Sequence, residues 1–422
     1  MNTHDYRQMA VFRSAHTRRQ FLHRTLATTA AASVLSRLPG SAAEPPATPA
    51  APAEFGRKIK LGVVGNGGRG AWIANLFKRH GGYEMWAVAD YFQPVANACG
   101  DALGVDKSRC FSGLNGYRRV IESGVEAIAL ETPPYFFPEH ARVAVEAGLH
   151  VYMAKPVAVD VWGCLEIEAV AKRAGANQRV FLVDYQVPTD AANREVVRRI
   201  GSGEIGPVLA LNSHYFSGMF ADPQRTATLE SRFRGLVWCN DVALGGGYHV
   251  NACIHAVDAA LWIAGERPVS AMGYSRVGRP DPHGDSHDVF QFTFEYANGI
   301  IHSHRGKHLH NLTGFDVVCQ AQGQKGFAQI GYGGKVSVKG PEDGYYGEVK
   351  DLYEAGAIRN IARFYQCVVE GRTENDTVRR SVDGALATIL GREAGLRRRK
   401  VTLEELLTEK KRLDVDLTGL KA

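Results

Sequence analysis

The segment Ile59–Asp90, IKLGVVGNGGRGAWIANLFKRHGGYEMWAVAD, decides the fold of the first half of the chain. It begins with a short apolar strand over 59–64 and continues into a glycine loop over 65–70 and a helix over 71–79. Asp90 ends a second apolar segment, twenty residues beyond Gly70. A GxGxxG loop between a strand and a helix, followed by an acid at this distance, is typical of a dinucleotide-binding βαβ unit.

Each part of this loop has a predicted role. Gly65 permits a tight turn, Gly67 lets the backbone approach a pyrophosphate, and Gly70 lets the helix pack closely on the strand. The helix N-terminus supplies positive potential to the phosphates. Asp90 would bind the adenosine ribose and repel a 2′-phosphate, so NAD is expected and NADP is disfavoured, although Arg69 could neutralise such a phosphate.

Strands and helices alternate up to residue 185, which predicts a doubly wound parallel sheet in an α/β Rossmann domain over 57–185. The predicted strands are 86–90, 127–130, 150–153 and 180–183, and the helices include 138–147 and 163–174. From residue 186 the strands alternate polar with apolar residues, as in 290–296 and 300–304 around the hairpin turn Ala297–Gly299. This pattern predicts a second, α+β domain over 186–422 with a largely antiparallel open sheet, closed by helices over 358–370 and 381–397.

The N-terminus resembles a twin-arginine export leader over residues 1–43. Arg18 and Arg19 precede a mildly apolar run over 25–35 and the small residues 41–43. The sequence therefore predicts export by the twin-arginine translocase to the periplasm or beyond, with the chain already folded around its cofactor. A proline-rich arm follows over 44–56, which either floats or wraps a neighbouring subunit of a homo-oligomer, a dimer or a tetramer.

Composition argues against several classes of protein. The chain has 422 residues, 45% hydrophobic, and a net charge of +6. Six arginines against one acid in residues 1–43 account for most of that charge, so a nucleic-acid-binding face is not expected. The leader is too short and too charged to span a membrane. The seven cysteines form no CxxC pair, which favours buried thiols over a zinc site or a disulfide framework.

The chain resembles the Gfo/Idh/MocA family of glucose-fructose oxidoreductase and inositol dehydrogenase. The motifs that carry the resemblance are the glycine loop, Thr132–Pro134, Glu146–Pro156, and Gly245–Gly247 leading to His255–Asp258. The resemblance implies that Lys155 and Pro156 lie beside the nicotinamide and that the lysine contacts the reacting hydroxyl. The family's usual glutamate before this lysine is Ala154 here.

The helix after Gly247 carries a polar stripe of Asn251, His255 and Asp258. In relatives this stripe reads Asp-x-x-x-His, and the resemblance implies that His255 is the general base. Asn251 replaces the aspartate, and an amide can orient an imidazole without stabilising its charged form. Asp258 is expected to be a structural partner.

The candidate residues form three sets. The catalytic set is Lys155, His255 and Asn251. The cofactor set is Gly65, Asn66, Gly67, Gly68, Arg69, Gly70, Asp90, Thr132, Pro133, Lys155 and Pro156. The substrate set contains Trp238, Asp241, Tyr248 and His249, because aromatic and carboxylate groups suit a sugar ring, with a packed loop as the alternative. It also contains Tyr185, which resembles the end of a strand in the family. No metal is expected: His302, His304, His308 and His310 lack a nearby carboxylate and are interpreted as a polar sheet face or interface, with a sugar contact as the alternative.

Three functions are compatible with these residues. The leading one is an NAD-dependent oxidoreductase that acts on a CH–OH group of a sugar, polyol or glycoside, with a retained cofactor regenerated in the site. The second is a redox-neutral, NAD-retaining glycoside hydrolase of the same architecture. The third is a non-catalytic sugar or nucleotide sensor, against which Lys155 and His255 argue.

Overall fold

The computed structural model describes residues 55–224, 228–341 and 344–422. The predicted leader and nearly all of the proline-rich arm lie outside the described residues. No helix within the described ranges is long and apolar enough to cross a membrane.

The first domain is built on six parallel strands in the order β3-β2-β1-β4-β5-β6. The strands are β1 (Ile59–Val64), β2 (Tyr83–Asp90), β3 (Cys110–Ser112), β4 (Ala127–Leu130), β5 (His150–Ala154) and β6 (Phe181–Asp184). The helices are α1 (Gly68–His80), α2 (Gln93–Leu103), α3 (Gly116–Glu122), α4 (Phe137–Glu146) and α5 (Val161–Ala176). This is the predicted doubly wound sheet. Its strand order reverses between β1 and β4, where such folds open a ligand crevice.

The second domain contains a nine-stranded sheet in the order β14-β13-β12-β11-β7-β10-β9-β8-β15. Its strands are β7 (Val208–Ser217), β8 (Pro268–Arg276), β9 (Val289–Tyr296), β10 (Ile301–His308), β11 (Asp316–Gly323), β12 (Phe327–Gly331), β13 (Gly334–Lys339), β14 (Tyr345–Val349) and β15 (Val401–Thr402). Its helices are α6 (Ala191–Gly201), α7 (Leu229–Arg232), α8 (Val242–Gly245) and α9 (Ile254–Ala264), followed by α10 (Leu352–Glu370), α11 (Thr377–Arg397) and α12 (Leu403–Glu409). Only the β7–β10 pair is parallel among the described strand pairs of this sheet, so the predicted fold class is confirmed.

Helix α10 lies in the second half of the chain but packs much of its apolar face against the first domain. Its apolar residues Ile361 and Phe364 join the hydrophobic cluster formed by α1 and one face of the first sheet. The hydroxyl of Tyr83 on β2 donates to the carbonyl of Ile361 over 2.7 Å. Sequence periodicity identified this helix but could not assign its partner, because an apolar stripe does not say which sheet covers it.

A second hydrophobic cluster joins the two domains. It includes Val183 on β6, Tyr185, residues of α9 and α11, and the inner face of the nine-stranded sheet. Alternate residues of β9 and β10 are buried, as the period of two predicts. The seven cysteines are all buried and unpaired, as expected. This shared core holds α9 against the carboxyl ends of the parallel strands.

Candidate active site

A cavity of about 740 Å³ lies at the carboxyl ends of β1 and β4, between the two domains. Its size is that of an ordinary ligand pocket. From the first domain its walls include Gly65, Gly67, Gly68, Arg69, Gly70, Asp90, Glu131, Thr132, Pro133 and Lys155. From the second domain they include Tyr215, Trp238, Asn251, His255, Phe315 and Tyr332. The cavity thus brings together most of the predicted cofactor residues and all three predicted catalytic residues.

The glycine loop fits a dinucleotide. Gly65 has φ of +89°, which side chains disfavour, and a Cβ there would lie 2.6 Å from the backbone of Glu131. A Cβ on Gly70 would collide with the carbonyl oxygen of Gly65, so close packing requires glycine. A Cβ on Gly67 would meet nothing within 4 Å, because that face opens to the cavity. Helix α1 begins at the next residue and has no acid in its first turn, so its amides can face a pyrophosphate.

Asp90 both holds this loop and faces the cavity. Its carboxylate oxygens accept the backbone N–H groups of Asn66 over 2.8 Å and of Phe92 over 3.0 Å. Burial raises the pKa of Asp90, and the two backbone hydrogen bonds oppose that rise. Each oxygen keeps acceptor capacity for a ribose hydroxyl. Asn66 itself is buried, and its amide donates to the carbonyl of Val63, so it positions the loop and does not line the cavity.

Arg69 points away from the ribose end of the site. Its guanidinium contacts Asp184 over 2.5 Å and Glu131 over 3.2 Å, and it lies near the stacked rings of Trp72 and Tyr353. Burial alone would lower the pKa of Arg69, but the carboxylates of Glu131 and Asp184 raise it. Arg69 is engaged by these two acids in this structure, and its neutralisation of a 2′-phosphate near Asp90 stays a prediction.

Glu131 is a cavity residue that sequence reasoning missed. It follows Leu130, which pairs with Met153, so Glu131 lies beside Ala154 at the ends of neighbouring strands. Ala154 pairs in turn with Asp184 on β6. The small alanine thus stands between two carboxylates that both contact Arg69. Burial raises the pKa of Glu131 to about 7, and the charge of Arg69 opposes this. An acid immediately after a fully apolar strand was the sequence signal for it.

Lys155 directly follows β5 and is joined to Pro156 by a cis peptide bond. Its side chain reaches across to the second domain. Its ammonium donates to the backbone carbonyl of Asn251 over 2.7 Å. That carbonyl belongs to a π-helical turn over His249–Cys253, the kind of widened turn that often marks functional sites. Burial, together with the charge of Arg69, lowers the pKa of Lys155 to about 8. Pro156 is buried and does not line the cavity.

His255 enters the cavity from the first turn of α9. It is buried, its Nδ1 has no hydrogen-bond partner among the described residues, and its ring lies 5.1 Å from that of Tyr332. Burial and the charges of Lys155 and Arg69 lower its pKa well below the usual value. The neutral imidazole is therefore a proton acceptor whose charged form is strongly disfavoured until a compensating charge arrives.

The predicted interaction between Asn251 and His255 is not formed. The amide oxygen of Asn251 accepts from the thiol of Cys239 at 3.5 Å, because the π-helical turn displaces residue 251 from ordinary i to i+4 stacking on the helix. Asn251 acts through its backbone carbonyl instead. Asp258 is paired with Arg380, which agrees with the structural role expected for it.

Most of the predicted substrate set does not reach the cavity. Trp238 lines it. Asp241 caps α8 and pairs with Arg232. The hydroxyl of Tyr248 binds the backbone of Phe220. Tyr185 is buried in the hydrophobic cluster that joins the two domains. The ring of His249 packs against the rings of Phe292 on β9 and His304 on β10, away from the cavity. Asp241, Tyr248 and His249 are close in sequence to the turn that carries the site, but their side chains pack within the protein.

The four predicted histidines lie on or just beyond β10. His302, His304 and His308 all lie on one strand face and are fully buried beneath the helices of the second domain, and His310 lies beyond the strand. Three of them share one sheet face, as in the predicted polar sheet face, and that face is turned inward, where Ser213 and Ser217 bond their rings. Burial lowers the pKa of His302 and of His308 to about 3.

A dinucleotide loop, a half-buried lysine and a neutral histidine converging on one cavity define a nicotinamide-dependent oxidoreductase. Residues 59–183 match the model of an oxidoreductase family with an NAD-binding Rossmann fold. Residues 193–329 match the GFO/IDH/MocA C-terminal domain. The chain belongs to the Gfo/Idh/MocA family, and the predictions of an NAD-binding Rossmann domain and of an enzyme are confirmed.

Similar proteins agree with this assignment. The chain is 26% identical to inositol 2-dehydrogenase of Ralstonia nicotianae over 67% of this chain and 76% of that protein. It is 28% identical to 1-carboxy-3-chloro-3,4-dihydroxycyclohexa-1,5-diene dehydrogenase of Comamonas testosteroni, over 42% of this chain and only 40% of that protein. The fold matches an inositol dehydrogenase homologue from Azotobacter vinelandii complexed with NAD⁺, with a TM-score of 0.69 at 18% identity, over 82% of this chain and 98% of that one.

Proposed function

We propose that the protein oxidises a secondary alcohol of a sugar, polyol or glycoside with NAD held in the cavity. The observation that carries this proposal is the convergence of Lys155 and His255, one from each domain, on the cavity that the glycine loop also lines. One residue can carry positive charge and the other can accept a proton. Both are needed to convert an alcohol to a carbonyl.

The residues divide the work of removing the hydroxyl proton. His255 accepts it as general base, and Lys155 stabilises the developing alkoxide through its ammonium. The bound nicotinamide supplies the acceptor for the hydride that leaves the same carbon. His255 is neutral before reaction, because burial and the charges of Lys155 and Arg69 lower its pKa, so its ring is free to accept the proton.

The cavity wall supports this substrate class. Tyr215, Trp238, Phe315 and Tyr332 present aromatic surface, and Gln186 adds an amide. Aromatic faces and a few polar groups suit the C–H and O–H surfaces of a cyclic polyol. The similarity to an inositol 2-dehydrogenase supports the same class.

Single-turnover reduction of the bound cofactor tests this proposal. We expect His255→Ala to slow reduction by sugars about 10²- to 10⁴-fold with unchanged cofactor content, the usual range for loss of a general base. His214→Ala is the matched control, because His214 on β7 pairs with Asp316 on β11 and does not line the cavity. Equal rates in His255→Ala and wild type would contradict the assignment of the base.

We also propose that the protein is exported by the twin-arginine pathway and keeps its cofactor outside the cytoplasm. The support is the arginine pair in residues 17–22 placed ahead of a nucleotide-binding domain. Changing Arg18 and Arg19 to lysine should leave a folded, NAD-loaded protein in the cytoplasm. Normal export of that variant would contradict the proposal.

A further inference from the structure

A cluster of buried metal-binding side chains lies directly behind the catalytic turn. His249 and Cys253 stand at the two ends of the π-helical turn, and His304 faces them from β10. All three are buried, with exposed fractions of 1%, 0% and 0%. One donor atom from each residue lies within 4.8 Å of the donors of the other two.

The ring nitrogens in this cluster lack hydrogen bonds. Neither nitrogen of His249 has a partner among the described residues, and Nε2 of His304 has none either. Nδ1 of His304 bonds the hydroxyl of Ser213 over 2.8 Å. An imidazole with one nitrogen hydrogen-bonded and the other directed at fellow donors has the arrangement of a metal ligand. Buried polar atoms without partners otherwise carry an uncompensated desolvation cost.

Two glycines make room for these donors. A Cβ at Gly306 on β10 would lie 2.6 Å from the sulfur of Cys253. A Cβ at Gly391 on α11 would lie 2.6 Å from Nε2 of His249. Glycine weakens the interior of a strand or a helix, so its presence at both positions calls for a local reason. Here each glycine lets a donor side chain occupy the space between the sheet and the helices.

We propose that His249, Cys253 and His304 bind a thiophilic transition-metal ion, with Zn²⁺ as the test ion. Two imidazoles and a thiolate suit zinc and its neighbours and exclude Mg²⁺ and Ca²⁺, which require oxygen ligands. Bonds of about 2.0–2.3 Å would place the donors roughly 3.3–3.8 Å apart, so no separation between two donors needs to close by more than about 1.5 Å. Binding would release the thiol proton of Cys253 to solvent and involves no change of redox state.

The ion would fix the turn that positions Lys155. His249 and Cys253 bracket Asn251, whose carbonyl accepts the lysine's hydrogen bond. Clamping both ends of the turn would hold that carbonyl in place. The site is thus structural support for the proposed oxidoreductase centre, and metal content can be measured whether or not that activity is found.

Metal analysis of the full-length protein tests the proposal. Protein purified from zinc-supplemented growth should contain about one equivalent of Zn²⁺ per chain by mass spectrometry. Cys253→Ser and His304→Gln should each lower this at least tenfold. The matched controls are Cys319→Ser, a buried thiol on β11, and His308→Gln, a buried histidine on the same face of β10, and both should retain the metal.

A spectroscopic measurement covers the case in which a variant fails to fold. Wild-type protein refolded with Co²⁺ should show a thiolate-to-cobalt charge-transfer band, which requires the sulfur of Cys253. A wild-type chain with no thiophilic metal and no cobalt band would overturn the proposal. Equal metal content in Cys253→Ser, His304→Gln and wild type would overturn it as well.

Discussion

Replacing Lys155 with methionine should stabilise the fold while abolishing the proposed chemistry. Burial is the main cause that lowers the pKa of Lys155 from 10.5 to about 8. A difference of this size corresponds to about 3 kcal/mol of unfavourable free energy for keeping the ammonium charged at neutral pH. Methionine avoids that cost but leaves the carbonyl of Asn251 without its donor, a loss of about 1 kcal/mol. We therefore expect a net gain of about 2 kcal/mol in the free energy of unfolding at pH 7.

The pH dependence of this gain has a definite sign. Between pH 8 and pH 10.5 the folded state has released the lysine proton and the unfolded chain still holds it. Stability of the wild type therefore rises with pH across this window, and the advantage of Lys155→Met shrinks. Below pH 8 the advantage is fully present.

Urea unfolding of nucleotide-free protein at several pH values measures the effect. Lys58→Met is the control, since Lys58 is exposed and its replacement should change stability by less than about 0.5 kcal/mol. A Lys155→Met variant that is less stable than wild type at pH 7, or whose difference from wild type is constant up to pH 10.5, would refute the reasoning.

Three further results are expected. Asp90→Ser should weaken the preference for NAD over NADP. Arg69→Ala should leave the ratio of the NAD and NADP dissociation constants unchanged, because Arg69 is held by Glu131 and Asp184. The reverse outcome would show that Arg69, and not Asp90, acts at the ribose end of the cofactor. Glu131→Gln should lower the pKa of Lys155 and move the corresponding limb of the pH–rate profile to lower pH. Glu122→Gln is the control, because Glu122 is exposed. A limb that stays at the same pH in Glu131→Gln would show that Glu131 does not act on the lysine. Deleting residues 44–56 should shift the sedimentation of the oligomer that we propose they join, and an unchanged profile would exclude that role.

Local motifs account for the parts of the site that could be predicted from sequence. The glycine loop, Asp90 and Lys155 each follow a strand whose apolar run is visible in the sequence. The carboxyl ends of parallel strands meet at one edge of the sheet, so the order of strands and helices along the chain is enough to place these residues near a cofactor. His255 could be placed because its helix begins just after a glycine turn.

The remaining parts depend on register and on helix geometry. Arg69 meets Glu131 and Asp184 only because β4, β5 and β6 end at one level, which no single strand encodes. The π-helical turn shifts Asn251 relative to His255, and the i to i+4 rule assumes an unbroken α-helix. His249 and Cys253 lie on that same turn, so the sequence pattern did not predict that they approach His304.

Isotope-dependent reduction of bound NAD tests the central claim most directly. Sugars or glycosides deuterated at one ring carbon at a time are mixed with NAD-loaded protein, and absorbance of the reduced nicotinamide is followed through one turnover. The account predicts that reduction slows with one label only and persists until a second carbonyl compound is added. Reduction that appears and then disappears as an aglycone is released would instead indicate redox-neutral glycoside hydrolysis. Tight binding of sugars that never reduce the cofactor would contradict the account.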